Sequence, residues 1–198
     1  MYKKQSIPFQ LLFGVIFGIL NFLVCCLQVY NPVPLYMDTL FTVTASFFGW
    51  ISGFICATLL HVFCFVLQRS GVSSIWWAIC SYSVVLIIRL FVNYQNKDEK
   101  RKTGITEILV LIFITTFVIS LEGAVIFTLL HAFAQYREDS QVRQMFLLLN
   151  RNSFPVFTAA LLPRIPVNIL DKGICVSLGY LAYLGTARLL ERLSKKAS

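Results

Sequence analysis

The stretch MDTLFTVTASFFGWISGFICATLLHVFCFVL, from Met37 to Leu67, decides how this chain folds. An untilted membrane crossing takes about 20 apolar residues, so the run is too long for one span and too short for two full ones. Gly49-Trp50-Ile51-Ser52-Gly53 offers a turn near its middle. The reading that respects both facts divides the run into a short span, Met37–Phe48, and a second, Trp50–Leu67. Left undivided, the chain would cross an odd number of times and its ends would lie on opposite sides. Divided, both ends share a side.

Working outward, the N-terminal side holds one apolar span, about Phe9–Tyr30, closed by Asn31-Pro32-Val33-Pro34, where each proline removes a donor and restrains its predecessor. The segment MYKKQSIPFQ before it is short and basic, but no Ala-x-Ala-like cleavage site follows, so the span reads as retained. On the C-terminal side, Gln68-Arg69-Ser70-Gly71 is a polar turn. A span over about Ser73–Val92, a solvated loop Asn93–Gly104 and a span over about Ile105–Phe133 come next. A long outer loop, Ala134–Arg164, includes the apolar piece Phe154–Leu162, too short to cross and expected as a lid or interfacial helix. The last span is about Ile165–Leu190, before the basic tail ERLSKKAS. The expectation is a single membrane domain over residues 1–198: an all-α integral membrane protein with six transmembrane helices.

Composition agrees. The 198 residues are 58% hydrophobic and 13% charged, where soluble domains hold about 45–50% apolar and about 25% charged residues. Soluble, disordered and fibrous classes are excluded. The formal net charge of +8 would raise nucleic acid as a partner in a soluble protein. Here the bases flank apolar runs, and Lys and Arg hold cytoplasmic loops inside. On the six-span path Arg69, Arg137, Arg143, Arg151, Arg164 and Lys172 fall outside, and the remaining 11 of the 17 basic residues fall on the side of the termini. Both termini are therefore expected in the cytoplasm of a cell-membrane protein, with no nucleic-acid partner.

Catalytic and metal chemistry find no support. The six cysteines lie in apolar segments without C-x-x-C spacing, and His61 with Cys64 supplies too few ligands for a metal. No G-x-x-x-x-G-K-[ST], H-E-x-x-H or G-x-S-x-G occurs. A lipid-acting enzyme would need clustered Asp, His or Glu at the surface, which the sequence lacks. No enzyme activity, cofactor or metal is expected.

Ionisable groups at membrane depth are costly and mark function by default. Glu122 lies deep in the fifth span, His61 in the outer half of the third, and Asp38 opens the second. The start of the sixth span carries Arg164 and then Asn168, Asp171, Lys172 and Cys175, spaced to share one helical face. Trp76 and Trp77 begin the fourth span on the same outer side. The inner half of the spans is nearly uncharged. This asymmetry points to a polar cavity open to the outside and lined by spans three to six. Each residue also has a plainer reading: Asp38 as a helix cap, the tryptophans as interface anchors, Asp171 and Lys172 as a structural pair or snorkelling base. His61 would hydrogen-bond a neighbouring helix, and Glu122 would pair with Lys172 or Arg164. Gly14-x-x-x-Gly18 makes a smooth groove for another helix, within the chain or from a partner.

Pro34-Leu35-Tyr36-Met37-Asp38-Thr39-Leu40, then Ala45–Gly49 and Gly53–His61, resembles the substrate-binding S components of energy-coupling-factor (ECF) transporters, in their uncharacterised-substrate group. Ile165-Pro166-Val167-Asn168-Ile169-Leu170-Asp171-Lys172 is similar to the same group's Pro-Val-x-x-Leu-Asp-Lys. The resemblance covers about Phe9 to Leu184. It implies a six-span bundle that captures a vitamin or other micronutrient from outside, working with a membrane coupling subunit and two cytosolic ATPases. It implies a ligand site near the outer face, with Asp38, His61, Glu122, Arg164, Asn168, Asp171 and Lys172 as polar contacts and Trp76 or Trp77 as an apolar wall. Gly14 and Gly18 match the position where the family's first span meets the coupling subunit. No motif names a vitamin. A membrane sensor or scaffold that binds without transporting stays open beside this reading.

Overall fold

The computed structural model describes residues 5–28, 35–67, 73–97, 103–134 and 142–197. The break at Asn31–Pro34, the turn at Gln68–Gly71, Lys3, Lys4 and the basic residues 100–102 lie outside the described residues. Within them the chain forms seven helices: α1 (Ile7–Gln28), α2 (Leu40–Phe48), α3 (Trp50–Leu67), α4 (Ser73–Gln95), α5 (Ile105–Ala134), α6 (Arg143–Arg151) and α7 (Val156–Ala197). Five of them, all but α2 and α6, are long and apolar enough to cross a membrane.

The division of the Met37–Leu67 run falls at Gly49, as the sequence indicates. The two helices fold back on each other about that residue. The Ser52 hydroxyl donates to the Ala45 carbonyl at 2.6 Å, and the Thr42 hydroxyl lies 3.6 Å from the Cys56 thiol. These contacts pair residues at rising distance on either side of the turn, so α2 and α3 are antiparallel. At nine residues, α2 is too short to cross, and eight of its residues are buried. It sits at the bundle's centre, touching α1, α3, α4 and α7.

A helix that ends inside a bilayer leaves orphan N–H and C=O groups with no water to satisfy them. Neighbouring helices supply the partners. On α1, Asn21 accepts the Phe41 N–H at 2.9 Å and donates to the Asp38 carbonyl, which caps the start of α2. On α4, Arg89 donates to the carbonyls of Ser46 and Phe47 at 3.1 and 3.3 Å, capping its end. Cations suit a helix C-terminus for the same reason. Gln10 of α1 accepts the Ile51 N–H at 3.2 Å and so caps α3. A Cβ at Gly49 would lie 1.8 Å from the Gln10 side-chain oxygen, so only glycine leaves room for this contact. In the half of the spans expected to be nearly uncharged, Arg89 is the cation that serves the buried turn.

The helices alternate in direction around α2. Gly14 and Gly18 run parallel to α3, against Ile55 and Leu59. His61 on α3 meets Ser81 on α4, Ser83 on α4 meets Glu122 on α5, and Ser120 on α5 meets Asn168 on α7. Each of these pairings is antiparallel. The start of α1 and the end of α7 therefore share one end of the bundle, with Phe9 and Tyr183 both against Phe48. The opposite end is called distal below.

Two expectations about the distal loop are corrected. The short helix there is α6, Arg143–Arg151, whose Phe146 inserts against Phe127 at 4.7 Å between ring centroids. It ends at Asn152 and Ser153, the latter in a left-handed conformation. Phe154–Leu162 is not a separate lid. From Val156 it is continuous with the final span, as one 42-residue helix through Pro163 and Pro166. A proline cannot donate to the carbonyl four residues back. The carbonyls that lose a donor here are those of Ala159 and Leu162, while in the same turn the Arg164 guanidinium donates to the Ala160 carbonyl at 2.8 Å. At 1.5 Å per residue α7 is about 63 Å long, beyond the bilayer's hydrocarbon core.

Candidate functional site

The polar residues singled out from sequence lie in the distal half of the bundle, in three groups and two interhelical pairs. The first group ties α7 to the segment before α2. Lys172 Nζ donates to Asp38 Oδ1 at 2.9 Å and to the Thr39 hydroxyl at 3.1 Å, and forms an ion pair with Asp171 Oδ2 at 2.7 Å, an oxygen that is buried and takes no hydrogen bond. Asp171 Oδ1 accepts the backbone N–H groups of Tyr36 and Met37 at 2.9 and 2.7 Å. Met37 adopts φ 49°, a left-handed conformation rare for a side-chain-bearing residue, and these two bonds hold it there. The side chains of Lys172 and Asp171 are 2% and 0% exposed, whereas Asp38 is 32% exposed.

Asp38 is thus not the cap of α2. Thr39 occupies that position without a side-chain cap bond, and Asn21 makes the capping bond instead. Nor does Lys172 reach Glu122, since it is surrounded by the two aspartates.

The second group is Arg164 with Trp77 and Phe127. Arg164 is buried, and its guanidinium carbon lies 5.0 Å from the Phe127 ring and 5.8 Å from the Trp77 ring. Gly123 leaves the space on α5 that this stack occupies. Trp77 therefore faces inward, while its neighbour Trp76 is half exposed on the bilayer face.

The third group is Glu122 with Trp76. Both line an apolar groove of about 530 Å³ between α4 and α5, walled by Ile79, Val125, Leu129 and Phe133. Glu122 Oε1 accepts the Ser83 hydroxyl at 2.6 Å, while Oε2 is buried and takes no hydrogen bond. The groove opens sideways between two helices, not along the bundle axis.

Two residues make plainer contacts. His61 Nε2 lies 2.8 Å from the Ser81 hydroxyl. Asn168 donates to the Ser120 hydroxyl at 3.0 Å, and its carbonyl accepts the Thr116 hydroxyl. Its own side-chain oxygen is buried without a partner. Gly14 and Gly18, expected at a partner subunit, are buried against α3. A Cβ at Gly14 would come within 2.9 Å of Ile55, and one at Gly18 within 3.0 Å of Leu59. Close helix approach is the role they fill in this chain.

The sequence reading overlooked Asn21, Ser83, Ser120 and Thr39. Its filter was ionisable side chains, and these are neutral. The signal was present: Asn21 is the one amide in the interior of the first span, between Gln10 and Gln28 near its ends.

Among the described residues no group of three or more His, Cys, Asp or Glu side chains is placed to hold a metal ion. Five helices long and apolar enough to cross a bilayer define a multi-pass membrane protein, with its polar side chains gathered in one half of the bundle. The family model for the ECF transporter, substrate-specific component, matches residues 10–183, and the chain belongs to that family. It is a substrate-binding membrane subunit of ECF transporters, a class of binding subunits and not of enzymes. No curated protein and no solved structure matches the chain.

Proposed function

We propose that this subunit captures a vitamin or other small micronutrient at its distal face, that the distal face is extracellular, and that a membrane coupling subunit with two cytosolic ATPases completes the importer. The observation that carries this reading is the one-sided placement of Asp38, His61, Glu122, Arg164, Asn168, Asp171 and Lys172. Polar groups at membrane depth are retained where they bind or conduct something, and a set confined to one half suits a pocket better than a channel.

The geometry divides the labour among these residues. Asp38, one-third exposed, would offer its carboxylate to a ligand, and the half-buried Glu122, whose Oε2 has no hydrogen-bond partner, would do so after a side-chain shift, with Trp76 as the apolar wall beside it. Asp171 and Lys172 are buried and paired with each other, and they position the Tyr36–Asp38 segment. Arg164 braces Trp77 and the proline-bearing turn of α7. With Gly14 and Gly18 covered by α3, the coupling subunit would meet the exposed apolar face of α1, including Leu12, Ile16 and Leu23. Both termini then lie in the cytoplasm of the cell membrane.

Gentle detergent extraction from the native host, followed by mass spectrometry of retained small molecules and proteins, tests this. The expected result is one water-soluble micronutrient together with a coupling subunit and ATPases. An empty protein that co-purifies with no ATPase would overturn the importer reading and favour a sensor or scaffold.

A further inference from the structure

At the end of the bundle that carries the termini, a second groove of about 480 Å³ lies between α4 and α5, away from the distal cluster. Its walls are Ile87, Leu90 and Tyr94 on α4 and Val110 and Ile114 on α5, and four of these five are more than 40% exposed on the bilayer side. From Ile87 to Gln95 it runs about 12 Å along α4, at 1.5 Å per residue. At its polar end sits Gln95, the last residue of α4, only 3% exposed. Both its amide nitrogen and its amide oxygen are buried without a hydrogen-bond partner. A buried amide with neither bond made carries the desolvation cost of an unsatisfied polar group. The groove's size lies in the range of small-molecule sites.

We infer that this groove binds one anionic glycerophospholipid with a hydroxylated headgroup, phosphatidylglycerol being the chemistry that fits. An acyl chain would lie along the apolar walls. At the interface the Gln95 amide nitrogen would donate to a phosphate or ester oxygen, and its oxygen would accept a headgroup hydroxyl. Both unmet groups are thereby satisfied by one ligand. Lys97, exposed two residues beyond, adds a cation at headgroup level. That cation favours an anionic lipid over a neutral one. Glu107 also lines the groove, and its charge is offset by the α5 N-terminus, in whose first turn it lies with Oε2 accepting the Gly104 N–H at 3.0 Å.

The test is native mass spectrometry of the intact subunit in detergent, titrated with phosphatidylglycerol or phosphatidylcholine of identical chains. Wild type should hold phosphatidylglycerol about tenfold more tightly, and Gln95→Leu should abolish the difference, as expected for lost charge-assisted hydrogen bonds. Gln95→Leu should unfold no earlier than wild type in lipid-free detergent, since it removes an unmet amide. Val110→Trp, which fills the groove from α5, should also displace the lipid. Equal retention of both lipids by wild type overturns the inference, as does undiminished phosphatidylglycerol binding by either variant. Competition by soluble glycerol phosphate would also overturn it, by showing that the acyl groove plays no part.

Discussion

The ammonium of Lys172 lies 2.9 Å from the carboxylate of Asp38, joining residues 134 apart in the chain. With Asp171 on its other side, the base fixes the segment entering α2 against α7. Removing one partner of a buried pair leaves an uncompensated charge, at about 3–5 kcal/mol. Lys172→Met should therefore destabilise the protein by that order, because two carboxylates lose their cation. Asp38→Asn should cost distinctly less, as its side chain is about one-third exposed and Asp171 still balances the lysine. Thermal unfolding in detergent reads both. A smaller effect for Lys172→Met than for Asp38→Asn would contradict the assignment of Lys172 as the anchor.

The turn at Gly49 yields a prediction with a built-in control. Alanine there would drive a methyl group to within 1.8 Å of the Gln10 oxygen. Gln10 must move or the turn must open, and overpacking of this kind costs about 1–3 kcal/mol. Gln10→Ala alone should also destabilise, since the Ile51 N–H loses its acceptor. The double variant should be less destabilised than the sum of the two, because without the glutamine the added methyl meets no clash. Additive losses, measured by unfolding of all four proteins, would show that the two residues do not compete for that space.

Why was the hairpin readable in the sequence while its support was not? Gly49 and Gly53 interrupt an apolar run of awkward length, and that turn signal, more than length, marks the division, because the 30-residue α5 is undivided. The supports, Asn21, Gln10 and Arg89, act on backbone groups distant in sequence, and no local pattern announces such partners. The same limit explains α7. Pro163 and Pro166 read as a helix boundary, yet α7 runs unbroken through both. The surrounding packing, with Arg164 stacked on Phe127 and Trp77, involves residues distant in sequence. Polar asymmetry was visible because intramembrane charges stand out; which of them are sealed by neighbours depends on packing that spacing does not encode.

Glu122 separates ligand binding from stability more cleanly than its companions. It is half-buried in a groove, with Oε1 on Ser83 and Oε2 unmet. Glu122→Gln preserves the shape and the Ser83 contact while removing the charge. Its unfolding temperature should stay near that of wild type. Retention of the co-purifying small molecule should fall about tenfold or more, the scale of one lost charge-assisted hydrogen bond. Unchanged retention would remove Glu122 from the site and leave Asp38 as the accessible carboxylate.

Sidedness is the last quantity the bundle predicts. α6 follows the distal end of α5 and precedes the start of α7, while the exposed end of α7 shares the opposite end with the start of α1. A cysteine introduced at Asn150 and one at Lys195, both exposed positions, must therefore face opposite sides of a membrane whatever the absolute orientation. The excess of basic residues on the side of the termini adds the direction. In sealed, right-side-out vesicles a membrane-impermeant thiol reagent should label Asn150→Cys and spare Lys195→Cys, with the parent protein giving the background of the six native cysteines. Labelling of Lys195→Cys alone would invert the protein and place the distal polar cluster toward the cytosol, where capture from outside is impossible. Labelling of both from one side would instead break the alternating path of the helices, because α7 would then begin and end on the same face.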